Sequence, residues 1–133
     1  MNKSLPLLLI VLLFLAGCRE SARVTTPEAN PNIQIDLEIA PDPAEVGEST
    51  LVITLRDADG SPIENASVAV RGDMSHAGMQ PVLREADDAS TDAPGVYRFP
   101  FEWTMGGDWF VVVTATLPDG TEAIERFELS VES

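Results

Sequence analysis

From Ile33 onward the chain alternates apolar and polar positions in short bursts. Ile33, Ile35, Leu37 and Ile39 interleave with Gln34, Asp36 and Glu38, the period of two that sends successive side chains to opposite faces of a half-buried strand. Pro41-Asp42-Pro43 and Gly47 then form a turn region, and Leu51, Ile53 and Leu55 resume the alternation. Asp57-Ala58-Asp59-Gly60-Ser61-Pro62 is a dense turn signal. Ala66, Val68 and Val70 mark a third strand, which this pattern ends at Arg71, and a short fourth strand is expected over Pro81 to Glu85, followed by a polar loop from Ala86 to Gly95. Tyr97, Phe99, Phe101 and Trp103 share a face against Arg98, Pro100 and Glu102. A proline in such a run points to an edge position or a bulge. Trp109 to Ala115 is apolar on both faces and is expected in a sheet interior; after Leu117-Pro118-Asp119-Gly120, a last strand turns Phe127, Leu129 and Val131 inward. Helical periodicity and internal repeats are absent. Seven short strands over about 100 residues predict an all-β, immunoglobulin-like seven-stranded β-sandwich, with a small Greek-key barrel as the alternative.

The first residues follow a different rule. Met1-Asn2-Lys3 is a short positive segment and Leu7 to Leu15 an unbroken apolar run of signal-peptide length, too short to span a bilayer as a helix. It ends in Leu15-Ala16-Gly17-Cys18, which resembles the bacterial lipobox, where the leader is cut before a cysteine that then carries diacylglycerol. The expected organisation is a lipoprotein signal peptide over 1–17, a lipid anchor and flexible tether over 18–32 and one domain over 33–133. Cys18 is the only cysteine. Its lipidation would leave no thiol for a disulfide or a thiolate metal site. The location implied is the cell envelope, periplasm-facing. Because Arg19 is not the Asp that the lipobox resemblance associates with inner-membrane retention, the outer membrane is favoured in a Gram-negative cell. The tether, polar and proline-bearing, has a reach of about 20 Å.

Charge narrows the function. Eight Lys and Arg against 22 Asp and Glu give a formal net charge of −14, which repels nucleic acid and anionic headgroups, leaving the lipid as the membrane contact. Catalysis finds no support either. Ser75 and His76 are adjacent but lack an arrangement that makes a relay, and there is no phosphate loop or dinucleotide fingerprint. The chain is expected not to be an enzyme.

One stretch carries candidate chemistry. Met74, His76 and Met79 fall within six positions of Arg71-Gly72-Asp73-Met74-Ser75-His76-Ala77-Gly78-Met79-Gln80, and Met105 sits in a second glycine-rich turn, Thr104-Met105-Gly106-Gly107-Asp108. Beyond Met1 these are all the methionines, and His76 is the only histidine. Thioether and imidazole suit Cu(I), and they persist where a thiolate would be oxidised. Methionine also fills gaps in cores, and a loop histidine can simply be solvated. Strand polarity bears on the choice. If successive strands run antiparallel, the loop with Met74, His76 and Met79 shares an end of the sandwich with the Met105 turn, opposite the end where Ile33 begins. Asp57, Asp59, Asp87, Asp88, Asp92 and Asp119 would gather at that other end, as Ca²⁺ ligands or, more simply, as turn residues.

The run from Gly72 to Val82, Pro94-Gly95-Val96-Tyr97 and Trp103-Thr104-Met105-Gly106-Gly107-Asp108-Trp109 together resemble the YtkA-like domain, a relative of the FixH-like envelope proteins. The resemblance implies a small extracytoplasmic sandwich often found near copper handling and cytochrome oxidase assembly, with methionines in these two loops. A lipid anchor in place of a transmembrane helix departs from the FixH-like pattern. The expected function is Cu(I) binding through Met74, His76, Met79 and Met105, with transfer to a basic periplasmic copper-handling partner. The alternative is a non-catalytic structural or protein-binding module with no metal.

Overall fold

The computed structural model describes residues 30–133; the expected leader, the lipobox Cys18 and nearly all of the tether lie outside the described residues. Eight strands form: β1 (Ile33–Ala40), β2 (Gly47–Asp57), β3 (Ser67–Met74), β4 (Val82–Arg84), β5 (Ser90–Ala93), β6 (Val96–Trp103), β7 (Gly107–Thr116) and β8 (Glu122–Val131), with a single 3-10 turn over Ala86–Asp88. They build two four-stranded antiparallel sheets, ordered β1-β2-β6-β5 and β4-β3-β7-β8. This is the immunoglobulin arrangement of two antiparallel sheets, with β4 added beside β3 at the outside of the second sheet. No helix among the described residues is long and apolar enough to cross a membrane.

The expected sandwich is therefore present, with two local differences. The stretch from Ala86 to Gly95, expected as a loop, holds β5, which pairs Ser90 with Arg98 and Ala93 with Val96 around a register shift. All four of its side chains are exposed, so it buries no apolar face that could have marked it in the sequence. The third strand also runs three residues past Arg71, to Met74. Its inward positions are Val68, Val70, Gly72 and Met74, all buried. The period of two was intact, but its third member is a glycine, which has no side chain to register as apolar.

Gly72 is a glycine for a packing reason. A Cβ built there would lie 2.5 Å from Phe101 Cζ, so the ring of Phe101 occupies the space that any larger residue would need. Gly72→Ala is expected to cost about 1–3 kcal/mol through overpacking. Urea unfolding would measure it, and the cost should shrink when Phe101 is also changed to Leu.

The core lies between the sheets. Leu51, Ile53 and Leu55 of β2, Phe99 and Trp103 of β6 and Val111, Val113 and Ala115 of β7 are fully buried, which is the inward half of each alternating pattern. The Trp103 indole N–H donates to Ser49 Oγ at 2.9 Å, satisfying a donor that would otherwise be stranded in the interior. Tyr97 holds the β2–β3 connection: its hydroxyl accepts from the Ala66 N–H at 3.1 Å and donates to the Ile63 carbonyl at 2.9 Å. Pro100 stands on the part of β6 that β5 does not cover, as its ring predicts. Its carbonyl accepts from Arg84 Nε at 2.7 Å, and its missing N–H removes one donor from that free edge.

Candidate metal centre

Register fixes which loops meet. Ile33 pairs with Asp57 and Ala40 with Thr50, Gly47 pairs with Trp103, and Met74 with Trp109. The start of β1 thus lies at one end of the sandwich, the lower, together with the β2–β3, β5–β6 and β7–β8 connections. The upper end carries the β1–β2 connection, the loop from Ser75 to Pro81, and the turn from Thr104 to Gly106. As strand polarity predicts, His76 and Met79 in one loop and Met105 in the other crown the same end. The unexpected β5 does not disturb it, because β4 and β5 run in the same direction on either side of the Ala86–Asp88 turn and leave the polarity of β6 unchanged.

The four residues are presented in different ways. His76 is exposed and Met79 is half-buried, packed against the edge of the core. Met105 is 44% exposed, an apolar side chain standing in solvent. Met74 is 4% exposed. It was expected in the loop, but as the last inward position of β3 it reaches between the sheets, where its Cε lies 3.2 Å from where a Cβ on Gly107 would be. Met74 therefore forms a floor beneath the Met105 turn rather than part of the loop above it.

The Met105 turn is fixed at several points. The Trp109 indole N–H donates to the Met105 carbonyl at 2.9 Å. Trp109 meets Trp103 edge-on, with ring centroids 5.3 Å apart, and Trp103 in turn meets Phe101 at 4.7 Å. Gly107 takes a φ of 128°, and a Cβ on Gly106 would come within 2.9 Å of Ser133 Cβ. Both Trp residues read from sequence as core, which they are. The bond from Trp109 to the turn had no sequence signal beyond the general need of a buried indole for an acceptor.

Hard ligands are not assembled here. Among the described residues no group of three or more His, Cys, Asp or Glu could hold a metal ion, which removes the support for a Ca²⁺ site among the lower-end aspartates. Two of those aspartates have carboxyls held below the usual range, Asp92 chiefly by a hydrogen bond from Arg98 and Asp119 chiefly by one from the Thr121 backbone N–H. Both are exposed and serve turns or strand edges. The lower end also has a hollow of about 390 Å³ floored by Val68 and Tyr97. Since the Tyr97 hydroxyl already has both partners, it offers no unmet polar group to a ligand. A second hollow, of about 420 Å³, borders the upper end, lined by Ser75, Phe110 and Leu129 among others, where Arg126 lies 4.1 Å over the Phe110 ring.

Comparison with known proteins bears on the family. The YtkA-like family profile matches residues 28–114, well over half of the chain, and the chain belongs to that family. The match takes in both methionine-bearing loops and ends within β7. No curated protein matches the chain. Among solved structures, an engineered protein is similar with a TM-score of 0.49 and 20% identity, covering 75% of this chain and 20% of that one, so this chain spans about a fifth of its length. The soluble domain of PmoD from Methylocystis sp. is similar with a TM-score of 0.43 and 12% identity over 74% of this chain and 90% of that one. Murine CRIg is similar with a TM-score of 0.42 and 16% identity over 75% and 96%.

Proposed function

We propose that this YtkA-like chain is a lipid-anchored carrier of Cu(I), held in the cell envelope through Cys18, and not an enzyme. One observation supports the reading above the others: the sandwich brings the loop of His76 and Met79 to the same end as the turn of Met105. Among the described residues these are all the soft donors outside the core, drawn from segments far apart in sequence. The donor set fits the ion. Two thioethers and an imidazole favour Cu(I) over the hard cations that oxygen ligands hold, and no carboxylate cluster competes with them among the described residues. Met74 supports the set from beneath.

Three donors from two loops leave one side of a bound ion open. A partner's thioether or imidazole can enter there and displace His76, Met79 and Met105 one at a time, so transfer requires no substrate chemistry. With a net charge of −14 over the whole sequence, the protein would be steered toward a partner with a basic docking face. Because β1 begins at the lower end, the described chain starts on the side opposite the donors. This geometry suits a periplasmic partner standing above the membrane.

The test is a titration with Cu(I) against a competing chelator. Retention of one ion per chain is the expected result. A chain that yields all its copper to a weak chelator is instead a structural or protein-binding sandwich without a metal.

A further inference from the structure

We infer that Trp109 is the positioning residue for Met105, an inference that rests on the copper reading and deepens it. Met105 combines two properties that rarely occur together. The residue is 44% exposed, while its carbonyl is held by the Trp109 indole N–H at 2.9 Å and the two glycines that follow it run so close to Ser133 and Met74 that a Cβ on either would crowd them. An ordinary surface turn has no need of such fixing, and exposed apolar side chains are normally left to move. A ligand does need it, because a donor held in place loses less entropy when it binds.

Trp109 is suited to the task. It is 2% exposed and pairs across the sheet with Met74. Its ring is braced edge-on by Trp103, whose own N–H is held by Ser49. The line from Ser49 through Trp103 and Trp109 to the Met105 carbonyl thus transmits the rigidity of the core to a residue in solvent. The N–H of Trp109, rather than the bulk of its ring, is the part that acts on Met105.

The decisive experiment is a double-mutant cycle on the full chain, read as Cu(I) affinity. Trp109→Phe, which keeps a ring in the stack but removes the N–H, is expected to weaken affinity about five- to tenfold, the worth of one hydrogen bond. In a Met105→Ala background the same change should cost nothing further, because the ligand it positions is gone. An equal loss in both backgrounds, or none in either, overturns the inference. A second arm needs no copper: amide hydrogen exchange between residues 104 and 107 in the metal-free chain should quicken on Trp109→Phe, and unchanged exchange overturns the inference. If that variant fails to fold, an ester in place of the Met105–Gly106 peptide bond weakens the same acceptor with every side chain intact, and the same two readouts apply. Should the parent chain bind no Cu(I), the copper reading fails while the exchange arm still decides whether Trp109 fixes the turn.

Discussion

Replacing His76 and Met79 together by Ala is expected to abolish Cu(I) binding while leaving the fold almost as stable as before. The two effects separate because the residues contribute differently to each. Cu(I) held by soft donors has no hard-ligand site to fall back on among the described residues, and removal of two of three donors leaves Met105 alone. A single thioether competes poorly with any chelator. Stability, by contrast, draws little on this loop. His76 is exposed, so its loss should stay within about 0.5 kcal/mol. Met79 is half-buried against the core margin, and its truncation adds about 1 kcal/mol at most, a part of the cost of a fully buried methionine. Chelator competition measures the first effect and thermal melting of the metal-free chain the second. A double variant that retains copper as the parent does would mean the ion is held elsewhere and the convergence of the two loops is incidental.

How much of this was legible in the sequence depends on what each residue had to bury. β1, β2, β6 and β8 announce themselves because one face of each packs on the other sheet, which forces the alternation seen at Ile33 to Ile39 or Tyr97 to Trp103, and β7 does so by the apolar run from Trp109 to Val113. β5 buries nothing, and its Ser90-Thr91-Asp92-Ala93 could as well have been a loop. The end of β3 was hidden by Gly72, where Phe101 fills the space of the missing side chain. This single unread position moved Met74 from the loop into the core. Strand polarity depends only on direction, and β4 and β5 share one, so the meeting of the two loops could be derived despite the miscounted strand. The burial of each donor could not. Alternation tells which face a residue takes within a strand, but says nothing of how far a loop or a turn such as that of Met105 stands out from the sheets. The bond from Trp109 to the Met105 carbonyl was still less visible, since it depends on the path of a turn containing two glycines, which the sequence leaves open.

Met74 is where the core and the candidate site meet, and two substitutions separate its roles. Met74→Ala is expected to destabilise the chain by about 2–5 kcal/mol, the usual cost of truncating a buried methionine. That would be a large part of the roughly 5–15 kcal/mol by which domains are stable. The magnitude follows from its place: it is 4% exposed, on the last inward position of β3, with its methyl close under Gly107. Such a change would also slacken the Met105 turn from below, so weaker copper binding by the Ala variant could not tell a lost ligand from a lost floor. Met74→Leu can. Leucine keeps nearly the same volume without sulfur, and swaps of this kind usually cost less than about 1.5 kcal/mol. We expect Met74→Leu to unfold close to the parent in urea and to bind Cu(I) within a factor of about two, because the donors lie above the turn and Met74 only supports it. A loss of about tenfold or more, with stability preserved, would correspond to roughly 1.4 kcal/mol of binding. The missing sulfur would then be a ligand, and the top of the sandwich would have to open between Met74 and Gly107 to admit the ion.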